Sequence, residues 1–184
     1  DSRKSEVLTL TLTRDSSLMF SGIKYMPNIK LGAQNNAEDG SFYSLSQDSV
    51  MNLSVAYANQ ENVNLVYYYD TVDADANTIS SPGASIDASI FGGAEGLSNW
   101  TTKNTVRFVQ RDNISPKEFE SFRNDSLILA NTFDYSAGKR KAKTLASGHV
   151  YSFATESGQL GLLLVKDIVG QESGSIIFSI KMLD

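Results

Sequence analysis

The sequence predicts a mainly β or α+β fold: an antiparallel or mixed β-sheet, in a sandwich or partly closed barrel, with two or three short helices. The clearest indication is Gly148–Leu183, in which three apolar runs are separated by two polar, glycine-bearing turns. This pattern is typical of a three-strand antiparallel meander. Its middle run, Leu160–Val165, is apolar on both faces. We therefore expect the sheet to be covered on both sides.

A second indication comes from Asn64–Tyr69, a run of strand-forming residues that is also apolar on both faces. Such a run belongs in the interior of a sheet. We expect it to pair with the middle strand of the meander, and we expect helices to form the covering layers.

Length and composition indicate one globular domain over residues 1–184, with residues 1–5 as the flexible end of a linker. The chain has no cysteine and a single histidine, His149, which excludes disulfides, thiolate chemistry and histidine-rich metal sites. With 16 basic and 21 acidic residues, the net charge of −5 gives no overall field that would attract nucleic acid. No apolar run approaches the roughly 20 residues of a membrane-spanning helix.

Short strands are predicted for the beginning of the chain. Glu6–Thr13 alternates strictly, with leucines on one face, as in a half-buried strand, and Leu18–Tyr25 is predicted to return as a second strand. Pro27–Gly40 is polar and rich in residues that break regular structure. We interpret it as a loop that holds one short strand at Ile29–Leu31.

A first helix is predicted after this loop. Ser44 and Gln47 have the spacing of a capping box, in which two side chains cap backbone N–H groups reciprocally. Val50, Leu53 and Tyr57 then follow at the spacing of one helical stripe.

A second helix has the strongest local signature in the chain. Ser115 is the predicted N-cap, Pro116 occupies the first helical position, and Glu118 completes a capping box. Ile114 and Phe119 have the spacing of a hydrophobic staple across the helix start.

The remaining segments have fewer indications. Asp70–Ser98 is predicted to be a long loop, and Thr105–Val109 a short strand. Leu127–Phe133 fits either a strand or a continued helix. Gly138–Ser147 carries four cations, and we interpret it as an exposed, solvated loop, with contact to phosphate or an anionic partner as the alternative.

One candidate metal site lies in the long loop. Asp73, Asp75 and Asn77 stand at alternate positions, the opening spacing of a calcium loop. Thr78 and Ala84 occupy the positions where an EF-hand needs glycine and glutamate. A solvated turn explains the same residues, because Asp and Asn favour turns. We expect no cofactor, with Ca²⁺ at these residues as the alternative.

Aromatic residues supply a candidate ligand-binding surface. Tyr67, Tyr69 and Trp100 offer flat rings that stack on sugars, and Asn99 and Lys103 flank Trp100 with polar groups. Core packing is the competing interpretation, since neighbouring residues of a strand point to opposite faces. Trp100 is the residue that we expect to make a surface contact.

Catalytic motifs are absent, and we assign no catalytic residue. Gly170–Gly174 misses the spacing of a nucleophile elbow by one position. Paired carboxylates need only two acids close together in space, so Asp70 with Asp73 or Asp75 leaves a carbohydrate-active enzyme as an alternative.

Three segments together, Leu65–Asp70, Asn99–Val109 and Leu145–Met182, resemble uncharacterised cell-envelope lipoprotein domains of Bacteroidetes. In those domains a strand ending in tyrosines precedes a Trp-Thr segment, and a glycine-bearing hairpin pair closes the domain. Gly161 and Lys181 are among the residues that fit the closing pattern. The family has no assigned activity. The resemblance implies export and a lipid anchor on a cysteine upstream of this chain.

The sequence and this resemblance together predict a non-catalytic, exported module of the periplasm or the outer-membrane surface. It would bind a carbohydrate or protein ligand or act in adhesion, with no nucleic-acid partner, and would meet the membrane only through an upstream anchor. A carbohydrate-active enzyme and a structural or assembly subunit are the alternatives.

Overall fold

The computed structural model describes residues 21–73 and 76–184. The strand predicted over Glu6–Thr13 lies outside the described residues, as does the start of the one predicted over Leu18–Tyr25. Within the described part of the chain, no helix is long and apolar enough to cross a membrane.

The described residues contain two five-stranded antiparallel sheets and three short α-helices, which confirms the predicted fold class. The front sheet has the order β1-β10-β9-β8-β6 and consists of β1 (Ile23–Gly32), β6 (Val106–Gln110), β8 (Val150–Thr155), β9 (Leu160–Val169) and β10 (Ser175–Leu183). The back sheet has the order β3-β2-β4-β5-β7 and consists of β2 (Phe42–Ser44), β3 (Ser49–Met51), β4 (Leu65–Asp70), β5 (Ala76–Ser80) and β7 (Lys141–Ala142). The helices are α1 (Leu53–Ala58), α2 (Pro116–Ser121) and α3 (Ser126–Ala130).

The predicted meander is confirmed as β8, β9 and β10, and β1 extends it beyond β10. The short strand predicted at Ile29–Leu31 is confirmed as part of β1, whereas the loop expected at Pro27 and Asn28 is wrong, because β1 runs on from Ile23 to Gly32. The register of β1 against β10 shifts between Met26 and Ile29, where Asn28 has a φ of 53°. This bulge accommodates Pro27, which has no N–H to give to a regular ladder.

The main core lies between the two sheets. Strands of both sheets contribute to it, including Leu31, Tyr43, Leu65, Tyr67, Phe153, Leu163, Val165 and Phe178. The pairing expected between the meander and the tyrosine-rich strand is wrong, since β9 and β4 belong to opposite sheets. They meet through their inward side chains instead, and both strands are interior to their own sheet.

The outer face of the front sheet is covered by α2 and α3. The predicted capping box is confirmed: Ser115 Oγ accepts from Glu118 N at 3.2 Å, and Glu118 Oε2 accepts from Ser115 N at 2.9 Å. Ile114 and Phe119 are buried in the same cluster. The segment left open between strand and helix, Leu127–Phe133, begins within α3.

A buried lysine ties this helical cover to the sheet. Lys181 in β10 is 2% exposed, and its amine donates to the carbonyls of Phe119, Glu120 and Phe122 at 2.8, 3.2 and 2.9 Å. These carbonyls lie at the end of α2, where a helix leaves acceptors without partners. Burial, with Arg123 nearby, lowers the pKa of Lys181.

The outer face of the back sheet is covered differently, by α1 and by residues 81–100, which we call the loop cover. The helix predicted to start at Ser44 is wrong, because β2 and β3 form a hairpin there and α1 starts at Leu53, capped by Asn52. Ser44 Oγ does accept from Gln47 N at 3.3 Å, but within the hairpin turn. Serine favours such turns as much as helix starts.

The long loop predicted over Asp70–Ser98 contains β5, which pairs with β4. Much of the rest is apolar cover, since Ile90, Phe91 and Leu97 pack against the back sheet.

The basic segment Gly138–Ser147, predicted to be an exposed and solvated loop, pairs in part with strands of both sheets. Lys141–Ala142 forms β7 beside β5, and the backbone of Lys139 exchanges two hydrogen bonds with Phe108 of the front sheet. Lys139 and Arg140 are exposed, as expected. This segment therefore joins the two sheets along one side of the sandwich.

The side chain of Gln34 makes the two backbone hydrogen bonds that a neighbouring strand would make. The amide of Gln34 donates to Tyr69 O at 2.8 Å and accepts from Tyr69 N at 2.9 Å. β2 pairs only with the first part of β4, so Gln34 continues the ladder beyond the point where β2 ends.

Candidate functional site

A polar cleft of about 480 Å³ opens at one end of the sandwich. Three stretches distant in sequence form its main walls: the turn after α1, the segment that leads into β6, and the turn between β8 and β9. Ser46, from the turn between β2 and β3, adds to the lining. All of its lining side chains are amides, hydroxyls or carboxylates, from Ser46, Glu61, Asn62, Asn64, Asn104, Thr105, Thr155, Glu156, Ser157 and Gln159.

The first two walls are fixed to each other by side-chain amides. Asn104 Nδ2 donates to the carbonyls of Glu61 and Val63, each at 2.8 Å. Gln60 Oε1 accepts from the backbone N–H groups of Thr101 and Thr102 at 2.8 and 3.0 Å. The irregular backbone on this side of the cleft is therefore held by hydrogen bonds that regular structure would otherwise supply.

The third wall is fixed in a similar way. Thr155 Oγ1 accepts from Gln159 N at 2.9 Å, and Gly158 adopts a φ of 89° that favours glycine. Glu156 N donates to Thr105 O at 3.0 Å, and Thr105 N donates to Glu156 Oε1 at 3.2 Å. The turn is thus anchored to the segment that leads into β6.

Several polar atoms around the cleft have no hydrogen-bonding partner among residues 21–73 and 76–184. They include Asn64 Nδ2, Asn104 Oδ1 and the side-chain amide of Gln159; the other amide atoms of Asn64 and Asn104 are used internally. Glu61 and Glu156 are exposed, and the structure gives neither of them an ion pair within these residues. The cleft can therefore both donate and accept hydrogen bonds to a ligand.

Two aromatic residues that the sequence suggested for ligand contact lie in the interior. Trp100 is 4% exposed, packs 5.4 Å from the ring of Phe42, and donates from Nε1 to Glu95 O at 2.9 Å. Tyr67 is fully buried between the sheets, and burial raises the pKa of its hydroxyl. The surface contact expected of Trp100 is not available in this conformation, because its ring covers the back sheet.

The other suggested ligand-binding residues are more accessible. Tyr69 is half-buried, and Asn99 and Lys103 are exposed. The Asn99 amide donates to Gly93 O at 3.0 Å and so supports the loop cover. None of the five residues lines the polar cleft. A binding role for Tyr69, Asn99 and Lys103 stays a prediction.

The suggested metal ligands that the structure describes, Asp73 and Asn77, have different surroundings. Asp73 is exposed, Asp75 lies outside the described residues, and Asn77 Oδ1 accepts from the Tyr67 hydroxyl at 2.7 Å. Within the described residues, no group of three or more His, Cys, Asp or Glu residues is arranged to hold a metal ion. Calcium binding at Asp73, Asp75 and Asn77 stays a prediction.

The carboxylate pair suggested for catalysis surrounds a lysine. Lys141 Nζ lies 3.5 Å from Asp70 Oδ2 and 3.4 Å from Asp73 Oδ2. Asp70 is 1% exposed, and its other oxygen accepts from the N–H groups of Val72 and Asp73. Asp70 therefore closes the turn after β4 and ties it to β7.

The cleft residues were missed because their sequence signal is slight. Asn62 and Asn64 lie in a polar stretch that marks the end of a helix, and Ser157 and Gln159 lie in an ordinary hairpin turn. Asn104 gives one sequence signal, because an amide residue next to a predicted strand can bond backbone carbonyls of another segment. In the structure its Nδ2 bonds three such carbonyls. Only the fold shows which segment that is.

No protein-family model and no curated protein matches the sequence. The solved structure of a DUF4466 family protein from Parabacteroides merdae ATCC 43184 is similar, with a TM-score of 0.60 at 13% sequence identity. The similarity covers 88% of this chain but 54% of that one, so this chain spans about half the length of its structural neighbour. Parabacteroides belongs to the Bacteroidetes, the group named by the sequence resemblance. The chain therefore shares its fold with a Bacteroidetes protein of a family of unknown function.

Proposed function

We propose that the protein is a non-catalytic module of the bacterial cell envelope and that it binds a glycan in the polar cleft. The observation that carries this proposal is the lining of the cleft, in which every side chain carries an amide, a hydroxyl or a carboxylate. Each sugar hydroxyl both donates and accepts hydrogen bonds. Each side-chain amide of the lining has an NH₂ donor and a carbonyl acceptor close together, so it can bond such a hydroxyl in both ways.

The same lining favours a glycan over a protein ligand. Protein ligands bind chiefly through aromatic or aliphatic anchors in desolvated apolar pockets. The cleft has no such pocket, and Trp100, the chain's one tryptophan, is used in the core.

Rigid walls support binding as well. The hydrogen bonds of Asn104, Gln60 and Thr155 hold the three stretches together without a ligand. A preformed site loses little conformational freedom when the ligand binds, which favours affinity.

The cell-envelope location is supported by the sequence resemblance to Bacteroidetes lipoprotein domains. We propose export to the periplasm or the outer-membrane surface, with a lipid anchor upstream of this chain, and adhesion as the process that glycan binding would serve.

A glycan array followed by titration of its strongest ligand tests the proposal. Ser157→Trp places a large ring in the cleft and should abolish binding. Ser173→Trp, at an exposed serine of the β9–β10 turn, is the matched control and should bind like the wild type. Circular dichroism would verify that both variants fold. Binding that Ser157→Trp leaves unchanged, or an array without any ligand, would contradict the proposal.

A carbohydrate-active enzyme is the second candidate, because Glu61 and Glu156 line one cleft as two carboxylates would in a glycosidase. Incubation of the array ligand with the protein, followed by chromatography of the products, distinguishes the two. Cleavage that is lost in both Glu61→Gln and Glu156→Gln would favour the enzyme, whereas intact glycan favours the binding module.

A further inference from the structure

We infer that the cleft selects amine-bearing sugars over neutral ones and rejects acidic glycans, with Glu61 and Glu156 as the residues that determine this specificity. The inference rests on the proposed glycan-binding function and adds the class of ligand to it.

The charge of the cleft carries the argument. Two carboxylates and no Lys, Arg or His side chain line it. Among residues 21–73 and 76–184, neither carboxylate is given an ion pair, whereas Asp39, Asp70 and Glu120 elsewhere pair with lysines. The lining therefore carries a net negative charge, which attracts cations and repels anions. Lys24 Nζ, which donates to Leu45 O beside Ser46, is a cation outside the lining.

The two carboxylates are also positioned as acceptors. Asn62 Nδ2 donates to Glu61 Oε1 at 3.2 Å, and Thr105 N donates to Glu156 Oε1 at 3.2 Å. In each carboxylate the other oxygen, Oε2, has no hydrogen bond within the described residues. An ionised carboxylate only accepts hydrogen bonds, and an ammonium group only donates them, with three N–H groups. The free oxygens thus suit a protonated amine better than they suit a hydroxyl.

The surrounding amides explain why the ligand would be a sugar and not a simple amine. Asn64 and Gln159 supply uncharged donors and acceptors for the hydroxyl groups of the same ring. The combination of neutral amides with two carboxylates matches a polyhydroxylated ligand that carries an amine.

Two oligosaccharides that differ only in the amine test the inference: β-1,4-linked glucosamine and the same oligomer fully N-acetylated, at equal length. An oligomer of galacturonic acid is the acidic probe. Calorimetric titration at low salt should give a dissociation constant roughly 5- to 10-fold lower for the glucosamine oligomer than for its acetylated form, as expected for partly exposed charge pairs. The galacturonate oligomer should not bind. Higher salt should reduce the preference, because it screens exposed charges.

The double variant Glu61→Gln/Glu156→Gln should bind the two glucosamine-based oligomers equally. Glu38→Gln removes one exposed carboxylate outside the cleft and is the control that should keep the preference. Equal or tighter binding of the acetylated or galacturonate oligomer by the wild type would overturn the inference. The proposed function would survive that result if Ser157→Trp still abolished binding. If no oligomer and no array glycan bound, the proposed function itself would fail.

Discussion

The outer apolar faces of the two sheets are covered by different kinds of structure. The front sheet is covered by α2 and α3, and α2 carries a complete capping box and is anchored to the sheet by Lys181. The back sheet is covered by one short helix and the loop cover, in which Ile90, Phe91, Leu97 and Trp100 supply the apolar contact. An apolar face needs a cover, but the cover need not be regular structure.

The two covers differ in what holds them. Hydrogen bonds between Ser115 and Glu118 hold the start of α2, so the start of this helix is encoded within four consecutive residues. The loop cover also has local hydrogen bonds, such as Trp100 Nε1 to Glu95 O and Leu97 N to Phe91 O, but they link irregular backbone, and its contact with the back sheet is made by buried apolar side chains. The stability of the loop cover should therefore depend chiefly on large buried rings, whereas the helical cover combines buried side chains such as Phe119 with polar contacts.

The largest effect is expected from Trp100→Ala, which removes the ring at the centre of the loop cover. The loss of buried area and the cavity left behind should lower the free energy of unfolding by about 3–5 kcal/mol. Urea unfolding followed by circular dichroism measures it. Trp100→Phe, which keeps an aromatic ring, should cost clearly less. A loss below about 1 kcal/mol for Trp100→Ala would show that the loop cover is not held by packing.

A smaller effect is expected from Lys181→Met, which keeps much of the side-chain volume but removes the amine. Phe119 O would lose its side-chain donor, and the carbonyls of Glu120 and Phe122 would keep only Arg123 Nη1, at a cost of about 1–3 kcal/mol. Lys166→Met is the control, because Lys166 forms a more exposed pair with Glu120 and should cost about 1 kcal/mol or less. Equal costs for the two variants, again measured in urea, would contradict an anchoring role for Lys181.

The smallest effects are expected from the helix caps, one on each face. Ser115→Ala removes the hydroxyl that accepts from Glu118 N and donates to Glu118 Oε2, while the backbone N–H of residue 115 is kept, and should cost about 1–2 kcal/mol. Asn52→Ala removes a single bond, to Val55 N, from α1 and should cost about 1 kcal/mol or less. Thermal unfolding of the two variants side by side gives the comparison. The reverse order would mean that the cap on the loop-covered face is the more important one.

The contrast between the two faces also explains what the sequence could predict. The meander and α2 were predicted correctly because their signals are local: periodicity, glycine turns and a cap within a few residues. The helix predicted from Ser44 was wrong because serine caps a hairpin turn with the same bond. Trp100 was expected at the surface because its neighbours are polar, and only the packing of the back sheet accounts for its burial.

The polar cleft could not have been predicted in the same way. Glu61, Asn104 and Glu156 come together only because β4, β6 and β8 bring their ends to one side of the sandwich. Each of these residues has an ordinary polar neighbourhood in sequence. Their shared property, an opening lined without any apolar side chain, exists only in three dimensions.

Gln34 has a consequence for how copies of the protein behave towards each other. Beyond the end of β2, a central strand of the back sheet would present a bare N–H and C=O to solvent. Such groups are a template on which a strand of another molecule can add, which is the first step of aggregation. The Gln34 amide occupies both groups of Tyr69. The Gln34 side chain thus leaves no free backbone group at Tyr69 on which a strand of another copy of the protein could add.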